Sequence, residues 1–154
     1  MDARPEVRSS VGAAVHGIDR SSIATRVPAT MPVMKSLSDE HIELFMAIAQ
    51  TVTPEVASLD ADGVARMTAI VDQALLDRDP STRKQLGTFL GVIRLAPLLR
   101  YGRTFPGLDP TPRTVVLRWF ENCPISLIRK GFWGLKALVF MGYYGQPERW
   151  SEIG

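Results

Sequence analysis

The chain has 154 residues, 45% of them hydrophobic, and a formal net charge of +2, which predicts one domain with its own hydrophobic core. Its single cysteine, Cys123, excludes an internal disulfide framework, and two histidines are too few for an ordinary zinc or iron site. Residues 86–154 hold nine basic and four acidic side chains, whereas residues 1–85 hold nine and twelve. We therefore expect acidic or anionic partners to contact the second half.

Residues 1–35 mix Pro, Ser, Gly and scattered charges without a helical or strand period, which predicts a flexible N-terminal tail. Their best apolar stretch, residues 11–18, is interrupted by His16 and Gly17, and no two arginines are adjacent. We therefore predict no export signal. Residues 36–154 are expected to form the helical domain.

The first two predicted helices follow the tail directly. Ser36 or Ser38 can cap a first helix that ends before Pro54. Apolar residues at helical spacing predict a second helix over residues 62–78. The inward-facing residues predicted for this pair are Ile42, Phe45, Ala49, Val52, Val64, Met67, Ile70, Val71, Ala74 and Leu75.

The third helix is predicted to begin at Asp79 and Pro80, with Pro97 bending or ending it. Leu86, Phe89, Leu90 and Ile93 should be buried, and Gly87 and Gly91, four residues apart, should let another helix approach closely. A fourth helix should start at Thr111, with Pro112 at its first position. Its predicted core residues are Val116, Trp119, Phe120 and Cys123.

Pro124 is predicted to open a fifth helix that reaches Tyr144 and folds back on the fourth as a hairpin. Since no strand is expected, the predicted fold is all-α, with about five helices in an irregular bundle. The fifth helix carries two stripes at steps of three and four. The stripe predicted to be core is Ile128, Phe132, Leu135 and Val139, and the stripe predicted to be a docking surface is Arg129, Trp133, Lys136, Phe140 and Tyr143.

This helix is long enough to cross a bilayer, but crossing would place Lys136 near the membrane centre at a cost of about 3 kcal/mol. We therefore do not expect it to span a membrane. Peripheral contact with a membrane surface remains an alternative, with the same basic and aromatic face on anionic headgroups.

No catalytic, cofactor-binding or metal-binding residue is predicted, since no phosphate loop, nucleophile elbow or histidine pair occurs. Nucleic acid is not an expected partner, because the net charge is small and no recognition module is visible. Arg, Trp and Tyr together are instead typical of protein interfaces. The predicted partner interface consists of Arg118, Trp119, Arg129, Trp133, Lys136, Phe140, Tyr143, Tyr144 and Trp150.

Three segments carry a family resemblance: LSDEHIELFMAIAQTVTPE, LRWFENCPISLIRKGFWGLKALVFMGYYG and PERWSEIG. Over residues 37–154 the chain resembles the small (gamma) subunit family of membrane-bound gluconate dehydrogenases. It is also similar to the helical region that precedes the flavin domain in long-chain fatty alcohol oxidases. The matching positions are bulky and basic rather than catalytic.

The resemblance implies an accessory subunit that assists a large FAD-containing oxidoreductase subunit of the glucose-methanol-choline type. That partner would hold the FAD and oxidise an alcohol or sugar, and this chain would hold no cofactor. Exported small subunits often carry a twin-arginine signal. Because this sequence has none, the expected complex is cytoplasmic, with any membrane association arising through the complex.

Overall fold

The computed structural model describes residues 32–153 of the chain, with side chains as far as Ser151. This part is all-α, with five helices of 12 to 19 residues and no strand, which confirms the predicted fold class. The helices are α1 (Asp39–Val52), α2 (Ala61–Leu76), α3 (Pro80–Leu95), α4 (Pro110–Glu121) and α5 (Ser126–Tyr144). Shorter helical turns lie at Pro54–Ser58, Leu98–Tyr101, Phe105–Gly107, Pro147–Arg149 and Trp150–Ile153. Most of the predicted tail, residues 1–31, lies outside the described residues.

Helix α1 is the centre of the bundle and contacts α3, α4 and α5. Because it is surrounded, it buries more than the single face predicted from the sequence. Its buried residues are Ile42, Leu44, Phe45, Ala47, Ile48 and Ala49. The remaining helices each supply one apolar side to this common core.

Helix α4 starts earlier than predicted. Asp109 is the extended residue before it, with φ −69° and ψ 163°, and Pro110 occupies its first turn, so the predicted start at Thr111 is wrong. The reason is that Pro110, like Pro112, has a φ already suited to a first helical turn and needs no backbone N–H there. Of the two caps predicted for α1, Ser38 is the residue that precedes the helix, and the predicted start of α3 after Asp79 is confirmed. Helix α5 begins at Ser126, so the prediction that Pro124 opens it is wrong.

Helices α2 and α5 approach each other most closely at Gly142. A Cβ atom there would lie 2.7 Å from Val71 Cγ2 and 3.1 Å from the Met67 carbonyl oxygen. The predicted close approach at Gly87 and Gly91 is wrong. Among the described residues, a Cβ on Gly91 would meet nothing within 4 Å, and one on Gly87 would meet only the His41 ring, at 3.6 Å.

The segment before α1 is fastened to α2 through Asp72, and Met34 is buried in the core. The Asp72 carboxylate accepts hydrogen bonds from the Lys35 N–H (3.0 Å), the Ser36 N–H (2.8 Å) and the Ser36 hydroxyl (2.5 Å). Packing therefore begins upstream of the predicted boundary at Ser36. Partial burial raises the pKa of Asp72, but these bonds and the Lys35 charge together outweigh it, so the pKa lies below its ordinary value.

Candidate functional site

Helix α5 has three different faces, which explains why it is apolar nearly all round. One face lies in the core and carries Phe132, Leu135, Val139 and Tyr143. Because successive residues are rotated by about 100° around the helix axis, the other two faces lie on either side of the core face. One of them is the basic–aromatic stripe, consisting of Arg129, Trp133, Lys136, Phe140 and Tyr144, and the other lines an apolar groove described below.

Three aromatic side chains of the basic–aromatic stripe are open to water. Trp133 is 53% exposed, Phe140 is 39% exposed and Tyr144 is 38% exposed. The rings of Phe140 and Tyr144 lie 6.2 Å apart between centroids, so they form one continuous aromatic patch. Large aromatic surface of this kind is costly to leave in water, at about 25 cal/mol per Å².

Tyr143 does not belong to this surface. It is 1% exposed, so the prediction that it faces outwards is wrong. From Val139 a step of four residues continues the core face to Tyr143, and from Phe140 a step of four continues the outer stripe to Tyr144. The spacing alone fits either tyrosine to the outer stripe. Because α5 packs on α2, Tyr143 is the one that lies in the interior.

Two cations of the stripe are already engaged within the chain. The Lys136 ammonium donates to Glu121 Oε1 on α4 at 2.8 Å and lies 4.7 Å from the centre of the Trp133 ring. The Arg129 guanidinium donates to the Cys123 carbonyl at 3.1 Å. Both residues therefore hold the α4–α5 hairpin in place, and Lys136 also positions Trp133.

The other predicted interface residues lie outside α5. Arg118 is exposed, and Trp119 is 57% exposed, with its ring edge-to-face on Phe120 at 5.0 Å. The prediction that Trp119 lies in the core of α4 is therefore wrong, and Leu117 is buried in its place. Trp150, beyond the end of α5, is 64% exposed.

A large apolar groove, missed from the sequence, runs between α3, α5 and the end of α2. Its cavity volume is about 990 Å³. From α5 it is lined by Leu127, Ile128, Gly131, Gly134, Leu135, Ala137, Leu138 and Met141. The sequence contains a signal for this third stripe of α5, because its residues are spaced at steps of three and four. They are Leu127, Gly131, Gly134, Leu138 and Met141.

Glycines shape the floor of this groove. Phe89 of α3 packs on Gly131, where a Cβ atom would come within 3.3 Å of its ring. A Cβ on Gly134 would meet no atom of residues 32–153 within 4 Å, so the space above Gly134 is open in this part of the chain. Leu127 and Met141 border the same space and remain partly in water.

The described residues hold no arrangement typical of an active site. Between residues 32 and 151 no group of three or more His, Cys, Asp or Glu side chains could hold a metal ion. Cys123 is buried, as predicted for a structural thiol, and His41 Nδ1 lies 3.1 Å from the Ser38 hydroxyl. None of the helices in this part of the chain combines the length and apolarity needed to cross a bilayer.

No family model, curated protein or solved structure matches this chain.

Proposed function

We propose that this chain is a non-catalytic accessory subunit that binds and stabilises a large FAD-dependent oxidoreductase of the glucose-methanol-choline type, which oxidises an alcohol or sugar. The observation that supports this most directly is the basic–aromatic stripe, where Trp133, Phe140 and Tyr144 lie open to water on one side of a rigid helix. The sequence resemblance described above supplies the class of partner.

The chemistry of the stripe suits a protein partner. Aromatic anchors held on a packed helix lose little side-chain entropy on binding, and such residues dominate interface energies. Lys136 holds the Trp133 ring from one side, so the indole is positioned before a partner arrives. Further exposed side chains are of types that are common in protein interfaces. They are Arg118, Trp119 and Trp150.

The test is co-purification from the native host with a tag on this chain. We expect a stoichiometric complex that contains a large subunit and shows flavin absorbance, while the tagged chain alone shows none. In the W133E/F140E variant, two charges replace exposed aromatic rings, and the complex should be lost although the variant folds with unchanged helicity.

The matched control is L99E, which places a charge at a residue that is 98% exposed and lies outside the stripe. This variant should retain the complex. A wild-type chain that purifies without any flavoprotein, or a W133E/F140E variant that binds one as well as wild type, would contradict the proposal.

A further inference from the structure

The groove has a polar end and an apolar end. The residues around the α2–α3 junction that line it are Arg78, Ser81, Thr82, Lys84 and Gln85. Because they are close in the chain, they lie together at one end. Towards the other end, the lining from α3 is Thr88, Phe89 and Val92, and the lining from the start of α5 is Leu127 and Ile128.

The cations at the polar end are available to a ligand. Arg78 and Lys84 are both exposed, and neither forms a salt bridge with any carboxylate among residues 32–151. Asp77 and Asp79 flank Arg78 in the chain, but no acidic side chain among the described residues lines the groove. This end therefore favours a negatively charged group, and the neighbouring hydroxyl and amide side chains can donate further hydrogen bonds to it.

The groove has the size of a small-molecule site. Its volume of about 990 Å³ is at the upper end of the range for such pockets, which are mostly apolar with a few polar groups. Between Ser81 and Val92, α3 extends over about 16 Å at the usual helical rise, a length that an extended acyl chain of about twelve carbons can span.

We propose that this groove binds a single-chain anionic amphiphile, specifically a free long-chain carboxylate. Its carboxylate lies at Arg78 and Lys84, and its acyl chain passes over the open space at Gly134 towards Leu127. This site is on a different face of α5 from the basic–aromatic stripe, so it does not depend on the proposed partner. A complex with a flavoprotein can form whether or not the groove is occupied.

Calorimetric titration of the full chain with laurate, kept below its micelle concentration, tests the proposal. We expect saturable binding of one laurate, and weaker binding of octanoate because fewer methylenes are buried. The variant G134L should weaken laurate binding at least about tenfold, since a leucine side chain would fill the open floor. The matched control is G91L, which also replaces a helical glycine with open space around it but lies outside the groove lining, and it should bind like wild type.

A second pair of variants tests the carboxylate end. R78Q/K84Q should weaken laurate binding about tenfold but leave binding of uncharged dodecanol unchanged. R100Q/R103Q removes the same charge from exposed arginines outside the lining and should bind laurate normally. The arginine and lysine variants change surface residues, and the glycine variants change positions with open space around them. Unchanged helicity of each variant would confirm that it folds.

Three results would overturn the proposal. The first is that the wild-type chain does not bind laurate at millimolar laurate concentration. This result includes the case in which the chain binds vesicles of anionic phospholipid or an acidic amphipathic peptide but not laurate. The second is a folded G134L variant that binds laurate as wild type does. The third is equal loss of dodecanol and laurate in R78Q/K84Q, which would show that the cations do not recognise the carboxylate.

Discussion

Glycine has opposite roles at two positions of α5. Gly142 lies where α2 packs most closely, and any side chain there would meet Val71 and the Met67 backbone. Gly134 faces the open groove, and a methyl group there would contact none of the described residues. Helix packing therefore requires glycine at position 142 but not at position 134.

We expect G142A to destabilise the protein by about 1 to 3 kcal/mol, because a Cβ only 2.7 Å from Val71 Cγ2 forces the two helices apart. G134A should instead stabilise it by about 0.5 to 1 kcal/mol, because alanine loses less backbone entropy in a helix interior. Urea denaturation of the two variants measures both changes. Equal effects of the same sign would contradict this account of Gly142.

Asp72 makes stability depend on pH. Its pKa is lowered in the folded protein by the Ser36 and Lys35 contacts that outweigh its partial burial, so folding favours the ionised form. This contribution is fully present above the ordinary pKa of 3.8 and is lost as the pH falls through the lower pKa of the folded state.

We therefore expect D72N to be less stable than wild type by about 1 to 2 kcal/mol at neutral pH. The difference should shrink as the pH falls below the ordinary carboxyl range. S36A removes one donor, which raises the pKa of Asp72 in the folded protein and moves this loss to higher pH. Denaturation curves between about pH 7 and about pH 2.5 measure both effects, and a wild-type advantage independent of pH would refute the role of the ionised carboxylate.

Among the elements, the α4–α5 hairpin is fixed by contacts that both helices supply. The Lys136–Glu121 pair connects them across their packed sides, with exposures of 18% and 33%. Arg129 additionally bonds the Cys123 carbonyl at the turn between them. This pair is more enclosed than Arg66–Glu148, whose side chains are 46% and 60% exposed at 3.8 Å.

A double-mutant cycle on Glu121 and Lys136, with E121Q and K136M, should give a coupling free energy of about 1 kcal/mol. The corresponding cycle with R66M and E148Q should give a value near zero, because exposed ion pairs at longer distance contribute little. High salt should reduce the first value only partly, since the pair is partly enclosed. Equal coupling energies for the two pairs would contradict this difference.

The positions of the helices could be predicted from local signals, but the roles of their faces could not. Proline after a capping Asp places the start of α3. The choice between Pro110 and Pro112 leaves a two-residue error at α4, and α5 begins two residues after the predicted Pro124. For α5, steps of three and four predict stripes without saying which neighbour covers each one. Tyr143 and Tyr144 both fit the outer stripe, and only the packing of α2 distinguishes them. The groove was missed for the same reason, since it needs α3 as its second wall.

Considered as a whole, the described domain covers its centre well and leaves much apolar surface outside. Helix α1 is enclosed by its neighbours, yet large hydrophobic side chains remain in water on α3, α4 and α5. The most exposed of them on these helices are Leu95, Trp119, Leu127 and Trp133. The result is a surplus of exposed apolar surface, which is divided between the basic–aromatic stripe and the groove rather than forming one patch.

That surplus predicts self-association of the isolated chain. Sedimentation velocity should show reversible association that increases with protein concentration and with added sulfate, because sulfate strengthens apolar burial. W133E/F140E should stay monomeric at concentrations where wild type associates, whereas G134L should associate like wild type, because it changes only the groove.

Flotation with vesicles separates this behaviour from membrane binding. If the stripe serves anionic headgroups, the chain should float with vesicles that contain anionic phospholipid, and added salt should release it. We expect little such binding, since Lys136 is already paired with Glu121 and aromatic area rather than charge dominates the stripe. Salt-sensitive flotation that W133E/F140E abolishes would therefore favour the membrane-surface alternative over a protein partner.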